Sequence, residues 1–558
     1  ELEEKLCTIW QEVLGVERVG IYDNFFHIGG NSITAIRLSA VSRSTLQIEI
    51  PLSILFEYKT IAGISENLKE TELVVIPKAE VEHYPLSFAQ ERLLFIERFE
   101  QGTSAYHIPY VSRLRDGNDV GLLSEALRIV INRHGALKTV FLTDDQGNDY
   151  QEVLEQDVTP RHTTLATDQD LIPAIETEIG CPFDLSSEAS IRVHFYTTPE
   201  NTYLFLLWHH IAFDGWSTDI FLNELMEVYQ ALRTGKEVQL PALDISYADY
   251  AVWQRNYLQG ATMEKLLGYW DQQLSGFETL NLPTDYPRPR QLTYEGMDHV
   301  FALDLGLSKQ LRDLAREQQT TLYTVLLSAY YVLLKTLSGQ TDLLIGTPSD
   351  NRSHAQTQGL VGFFVNSLPL RATLESGTAV GKLISEIHQL VTSAKIHQEL
   401  PLERMVDKLR IERDASRHPL FQVIFSLQDF GKDGATDQEL PLLAVELTEG
   451  ENLYSPARYD LSLLLRDDQE QIGGALNYAT SLFDASTIGR MTEMYVRILE
   501  AFARDLDTPI ENIAVVSEQE KHLQLVDWNQ TDCFYPQTST LQELIESQAE
   551  QTPDKLAV

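Results

Sequence analysis

An apolar run in this chain ends on two adjacent histidines. Thr202 to Trp208 reads Thr-Tyr-Leu-Phe-Leu-Leu-Trp, and His209-His210-Ile211-Ala212-Phe213-Asp214-Gly215-Trp216-Ser217 follows. The run is β-branched, aromatic and apolar, and it is too short and too unbroken for a helix. Its near-continuous apolarity predicts a strand buried on both faces. The histidines would then leave a rigid element and enter a loop, where reactive groups are often placed. Gly215 is expected to permit backbone geometry that a side chain would forbid. Asp219–Leu232 has helical periodicity and predicts a helix.

Imidazole is the side chain best suited to take or hold a proton near neutral pH. A lone buried histidine more often satisfies a polar core contact. The full His-His-x-x-x-Asp-Gly pattern is harder to dismiss. It should arise by chance in well under about one chain in a hundred of this size.

A length of 558 residues predicts about three or four domains, and 43% hydrophobic content is ample for large cores. No run of eighteen apolar residues is present, so no transmembrane helix is expected. The first residues, Glu-Leu-Glu-Glu-Lys, carry the wrong charge for a signal peptide. They read as a cut inside a longer chain. A formal net charge of −39 repels nucleic acid and anionic membranes, so neither is expected as a partner. The three cysteines, Cys7, Cys181 and Cys533, have no paired spacing, which argues against a disulfide framework or a metal cluster. A cytoplasmic location is expected.

The first segment reads as a small helical bundle. Leu2, Leu6, Ile9 and Val13 share one helical face, and Gly15 follows as a helix stop. A loop, Asp23 to Ser32, leads into a second amphipathic run, Ile33 to Leu46. Pro51 opens a short third element, and Thr60 is placed to cap a fourth helix ending near Lys69. Ser32 sits where the second helix begins. An ordinary capping serine fits there; so does a hydroxyl carrying a phosphate-linked arm, which the helix N-terminus would favour. Gly29 and Gly30 are expected to let a modifying enzyme reach it.

Phe25-Phe26-His27-Ile28-Gly29-Gly30-Asn31-Ser32-Ile33 resembles the core motif of peptidyl carrier proteins of non-ribosomal peptide synthetases. The resemblance implies 4′-phosphopantetheine on Ser32, attached by a phosphopantetheinyl transferase. Asn31 stands where the family usually has His or Asp. Lys69 to Glu82 is acidic, contains Pro77 and reads as a linker.

From about His83 to Val515 the chain resembles condensation domains of the same synthetases. Ser87-Phe88-Ala89-Gln90-Glu91-Arg92-Leu93 is similar to the family's first motif. Arg133-His134-Gly135-Ala136-Leu137-Lys138-Thr139-Val140-Phe141 is similar to the second, with Gly135 for the usual Glu and Lys138 for the usual Arg. Lys keeps the charge but loses the planar fork. His209 to Gly215 matches the active-site motif in full, and Tyr247 to Trp253 matches the next. Ile345 to Arg352 follows, with Ser349-Asp350 replacing Val-Ala. Gly362 to Arg371 and His397 to Glu403 complete the resemblance.

The resemblance implies a multidomain chain: a small all-α four-helix carrier bundle, then an α+β condensation domain. That domain has two chloramphenicol-acetyltransferase-like lobes in a V. The expected layout is a carrier at 1–73, a linker at 74–82, lobes at 83–260 and 261–515, and a final segment at 516–558. Trp528 to Asp532 and Thr538 to Val558 resemble the run into an adenylation domain, with one amphipathic helix carrying Leu541, Leu544 and Ile545.

The implied reaction joins a carrier-bound peptidyl or aminoacyl thioester to the amine of a second carrier-bound aminoacyl thioester. A thioester is already activated, so holding two tethered reactants at attack geometry and removing a proton suffice. His210 is implied to handle the proton or position the amine, and His209 to support it. Asp214 is implied to orient the loop through an ion pair with Arg352. Gly215 is implied to offer its N–H to the donor carbonyl. Asn366 either lines the channel or makes a buried polar contact. The Asp-Gly-Trp-Ser ending resembles the subtype that accepts an L-configured donor. Implied partners are an upstream adenylation domain and downstream adenylation and carrier domains.

Rival readings are an epimerisation domain, a heterocyclisation domain and a non-catalytic docking module. The first motif, the Gly-Phe-Phe-Val-Asn stretch and the adenylation-like end argue against the first. Both histidines argue against the second, which has Asp there, and the intact motif argues against the third.

Overall fold

The computed structural model describes residues 2–30, part of 34–67, 75–100, 102–411, 414–428, 442–444, 454–533 and 537–556. Their backbone forms two units, Glu1–Ile513 and Ala514–Val558.

Ahead of residue 260 lie β1 (Tyr84–Pro85), β2 (His107–Leu114), β3 (Thr139–Thr143), β4 (Asp149–Val153), β5 (Arg161–Thr164), β6 (Ile191–Thr197) and β7 (Thr202–His209). Beyond it lie β8 (Gly296–Ala302), β9 (Asp342–Ser349), β10 (Asn366–Thr373), β11 (Val423–Gln428), β12 (Leu442–Ala444), β13 (Leu461–Asp467) and β14 (Ile472–Ala479).

The double-histidine strand is central. A five-stranded sheet runs β12-β2-β7-β6-β5, so β7 is paired along both edges. Its residues alternate between two cores, as a period of two requires. Leu204, Leu206 and Trp208 pack with the helices Val120–Arg133 and Gly215–Arg233. Tyr203, Phe205 and Leu207 pack on the opposite face with the helices Phe88–Phe99 and Leu171–Ile179. Burial on both faces is the reason the run shows no polar alternation.

A six-stranded mixed sheet, β10-β9-β11-β13-β14-β8, builds the second half. The helix Leu322–Ser338 lies against it, and every residue from Thr324 to Leu334 is buried. A three-stranded sheet, β1-β4-β3, completes the first half.

The two halves are not separate in sequence. Leu442–Ala444 pairs antiparallel with β2, Leu442 opposite Leu114. The expected lobe of 261–515 therefore lends a strand to the sheet of the lobe before it. The expected cut at 260 falls at Gly260, whose φ of +53° lets the chain turn between the helices Tyr247–Tyr257 and Gly260–Leu274.

The first 67 residues share a core of their own, including Leu6, Ile9, Trp10, Phe25, Leu55 and Ile61. The helix Leu2–Leu14 buries Leu6, Ile9, Trp10 and Val13, and Gly15 follows with φ +66°. Thr60 caps the helix Ile61–Asn67, its hydroxyl accepting from Gly63 N–H at 3.1 Å. The expected second helix and the element at Pro51 lie in part outside the described residues. So does Ser32.

Of the expected linker, the described residues 75–82 form no regular element, yet they are anchored. Ile76 is buried among Tyr247, Tyr250, Leu360 and Phe364, and it exchanges two hydrogen bonds with the Gln356 side chain. Ala79 N–H donates to Asp249 at 2.7 Å.

In the second unit the helix Leu541–Gln551 carries a capping box of Thr540 and Glu543 and buries none of its residues. No single helix among the described residues is long and apolar enough to cross a membrane.

Candidate functional site

β7 ends at His209, and His210–Ala212 forms one 3-10 turn before Asp214 caps the helix Gly215–Arg233. The predicted strand is thus one residue longer, and the predicted helix starts four residues earlier. Gly215 is the first residue of that helix and is not among the glycines with positive φ. The special backbone geometry expected of it is absent, because an N-cap aspartate already sets the turn.

The two histidines face different surroundings. His209 is wholly buried. Its Nδ1 accepts from Ile211 N–H at 3.1 Å. The ring proton therefore sits on Nε2, which faces Glu97 Oε1 at 3.2 Å. His210 is half-buried and lines a cavity of about 1880 Å³. Its backbone N–H donates to Tyr106 O, and its Nδ1 lies 3.1 Å from Phe213 O. A carbonyl can only accept, so Nδ1 carries the proton and Nε2 keeps its lone pair. Burial, and after it the Arg458 guanidinium and His209, hold the His210 imidazole well below the usual histidine range. The ring is neutral near pH 7, with one nitrogen tied and the other a base.

Asp214 does not enter this chemistry. One carboxylate oxygen accepts from Ser217 N–H at 2.8 Å and Ser217 Oγ at 2.7 Å, and the other from Phe364 N–H at 3.0 Å. Arg352 Nη2 reaches the same carboxylate at 3.2 Å. Its Nη1 donates to the Thr357 and Leu360 carbonyls, and its guanidinium lies 4.1 Å from the centre of the Phe364 ring. The ion pair expected from sequence is present.

Asn366 borders the cavity, but its amide is spent on backbone. Nδ2 donates to Gln398 O and Leu400 O, and Oδ1 accepts from Leu402 N–H. Both alternatives for this residue therefore hold together. Lys138 Nζ donates to Asn132 Oδ1 at 2.7 Å and to Glu155 O at 3.5 Å, and lies 4.0 Å from Asp157 Oδ1.

Residues of the first bundle reach the same cavity. Phe26, Gly29 and Lys59 line it together with His210. Gly29 has φ +104°. At Gly30 a Cβ would stand 2.3 Å from the Phe25 ring, so this glycine serves close packing. That packing, rather than access for an enzyme, is the structural demand visible at Gly30.

Three site residues escaped the sequence reading. Arg458 donates to Ala105 O at 2.9 Å and lies over the Tyr106 ring, beside His210. Tyr106 supplies the carbonyl that holds His210 N–H. Glu97 holds His209 from the helix Phe88–Phe99, which also carries most of the first motif. A buried acid on an amphipathic helix was the only available signal, and only for Glu97.

Comparison with known proteins shows the family and the fold. A family model described as "Phosphopantetheine attachment site" matches residues 4–68, and one described as "Condensation domain" matches residues 80–525. Gramicidin S synthase 2 of Brevibacillus brevis is 35% identical over 567 residues, covering 100% of this chain and 12% of that protein. Tyrocidine synthase 3 of Brevibacillus parabrevis is 36% identical over 564 residues, covering 100% of this chain and 8% of its own length. This chain thus spans a small part of those relatives. Among solved structures, the X-domain from teicoplanin biosynthesis superposes with a TM-score of 0.71 at 27% identity, covering 79% of this chain and 100% of that one. A four-domain nonribosomal peptide synthetase solved in its holo form with AMP and glycine gives 0.73 at 22%, covering 87% and 38%, and shows the fold. The chain belongs to the condensation-domain family, with a phosphopantetheine attachment site preceding the condensation domain.

Proposed function

We propose that this chain forms peptide bonds in non-ribosomal peptide synthesis, as an acyltransferase acting on carrier-bound thioesters. The supporting observation is that carrier residues Phe26 and Gly29 border one cavity together with His210. In this reading residues 1–73 are the carrier and 83–515 the two condensation lobes, meeting at 260. Residues 516–558 form the approach to an adenylation domain. Ser32 carries 4′-phosphopantetheine, which supplies the donor as a tethered thioester.

The chain's own residues then do three things. The cavity walls hold donor and acceptor together, which replaces a bimolecular encounter. His210 Nε2 takes the proton released as the acceptor nitrogen bonds to the donor carbonyl carbon and the carbon–sulfur bond breaks. Gly215, at the start of a helix and on the cavity wall, presents backbone N–H toward developing negative charge on the carbonyl oxygen. Asp214 and Arg352 hold the loop that carries both groups. His209, clamped by Glu97, fixes the strand end.

The partners are a phosphopantetheinyl transferase, the adenylation domain that loads the carrier, and a downstream adenylation and carrier pair. The motif ending Asp-Gly-Trp-Ser favours an L-configured donor.

Intact-protein mass spectrometry tests this. The chain is loaded at Ser32 by a phosphopantetheinyl transferase with an aminoacyl or peptidyl group, then mixed with an aminoacylated acceptor carrier. The donor mass is expected to move to the acceptor. His210→Ala is expected to slow transfer by about a hundredfold or more. Unchanged transfer in that variant overturns the role of His210, and no mass gain on Ser32 overturns the carrier reading.

A further inference from the structure

Three successive carbonyls stand beside the double histidine. They belong to Ser104, Ala105 and Tyr106, in the turn that leads into β2, where His107 opposes His209 of β7. Each accepts a hydrogen bond from outside that turn. Tyr454 Oη–H donates to Ser104 O, Arg458 Nε–H to Ala105 O at 2.9 Å, and His210 N–H to Tyr106 O at 2.9 Å. Tyr454 and Ser104 are 350 residues apart in sequence. Two of the donors therefore come from the second half, and the third is His210 of the first.

Covalent geometry links the three bonds. The Tyr106 carbonyl and the His107 N–H share one planar peptide group. That N–H donates to Ser104 O at 2.9 Å, the same oxygen that accepts from Tyr454. A carbonyl oxygen has two lone pairs, so both bonds fit. Tyr454 thus supports the oxygen against which the Tyr106–His107 peptide leans. Arg458 holds the peptide group before it, and its guanidinium lies 5.0 Å from the centre of the Tyr106 ring. Ala105 is buried, so a carbonyl that loses the Arg458 donor must turn to find another.

The segment that carries both donors is itself fixed to the second half. Ser455 Oγ–H donates to Asp298 Oδ2 of β8 at 2.7 Å, and Ala457 N–H donates to Tyr294 O at 3.0 Å. Asn477 of β14 donates to the other oxygen of Asp298 at 2.8 Å. Gly296 permits the close approach: a Cβ there would collide with the Ser455 carbonyl and the Ala457 nitrogen. Residues 454–458 therefore rest on the six-stranded sheet and reach the His210 turn from it.

We propose that Tyr454 and Arg458 are positioning residues for His210, acting through the Ser104, Ala105 and Tyr106 carbonyls. The second half thereby sets where the histidine of the first half stands. The proposal rests on the reading of His210 as the proton acceptor. That role needs Nε2 within hydrogen-bond reach of the reacting nitrogen, and a misplacement of about 1 Å can cost about a hundredfold in rate.

The test separates the hydrogen bond from the charge. Gln has its Nε2 where Arg has Nε, so Arg458→Gln keeps a donor for Ala105 O and loses the cation. Arg458→Met loses both, and Tyr454→Phe loses only the hydroxyl. The first readout, on the full chain, is hydrogen exchange of the His210 amide by fragmentation mass spectrometry, with the amides of β6 as the reference for overall stability. Arg458→Met and Tyr454→Phe are each expected to raise exchange at His210 about fivefold relative to β6, as the loss of a hydrogen bond would. Arg458→Gln is expected to stay near wild type. The second readout is thioester transfer to an aminoacylated acceptor carrier. Arg458→Met and Tyr454→Phe should each lower kcat about tenfold with KM for that carrier unchanged, and Arg458→Gln should recover most of it. Wild-type exchange at His210 in either Arg458→Met or Tyr454→Phe overturns the proposal. So does a rise that β6 shares, or Arg458→Gln behaving as Arg458→Met. Faster exchange with unchanged kcat overturns the positioning role. Failure of the His210 reading shows itself separately, as wild-type transfer by His210→Ala.

Discussion

Arg352 Nη2 lies 3.2 Å from Asp214 Oδ1 across 138 residues of sequence, and neither side chain is exposed. Around them Ser217, Phe364 and the carbonyls of Thr357 and Leu360 supply further hydrogen bonds, and Arg352 Nε has none among the described residues. Removing one member of a buried pair of this kind strands the other charge. Arg352→Met is therefore expected to destabilise the chain by about 3–5 kcal/mol, read from denaturant unfolding. Arg352→Lys keeps the charge but not the fork, and should lie between that variant and wild type.

His210 is held neutral by burial first and by Arg458 and His209 after it. Its ring should still be unprotonated at the usual histidine midpoint near pH 6.5. Histidine ring NMR on the apo chain checks this. His210 should titrate clearly below about 6.5, with the proton of the neutral form on Nδ1. A midpoint at or above that value contradicts the assignment of Nε2 as a base at neutral pH.

His107 supplies a pH dependence of stability. Burial, chiefly, pulls its imidazole down to about 4, and Nδ1 donates to Ile179 O at 2.7 Å. The unfolded chain, with an ordinary midpoint near 6.5, binds the proton first as pH falls. Stability is thus intact above about 6.5 and is lost as pH drops from there toward 4. His107→Asn keeps a donor for the Ile179 carbonyl and cannot be protonated. Between about pH 7 and 4.5 it should lose about 2–3 kcal/mol less stability than wild type, measured by urea unfolding at each pH.

Glu97 Oε2 accepts from Thr103 N–H at 3.2 Å, and Oε1 faces the buried His209 Nε2–H donor. Glu97→Leu leaves that donor buried and unpaired, a loss of about 1–3 kcal/mol. It should also slow transfer by loosening the turn that carries His210. Glu97→Gln retains one acceptor oxygen for two donors, and should recover part of the melting temperature and part of the rate.

Much of the local structure was legible before any fold was known. The apolar run before His209 is a strand paired on both edges, because a strand buried on both faces has no polar side to display. The capping residue Thr60 and the stop at Gly15 stand where their chemistry placed them. The Gly215 expectation failed because a glycine beside an aspartate can simply begin a helix. The lobe boundary was incomplete because Leu442–Ala444 crosses to β2, and a three-residue strand has too short a pattern to reveal its partner.

Local chemistry along the chain was thus enough to place a strand, a loop and a helix around the double histidine, while the roles expected of His210 and Ser32 came from the family resemblance. Periodicity and capping act between residues a few positions apart, so sequence carries them. Tertiary structure decided what surrounds those residues. It set Arg458 and Tyr106 beside His210 and Glu97 on His209. These contacts join segments far apart in sequence, and their energies depend on burial and distance, which no local pattern encodes.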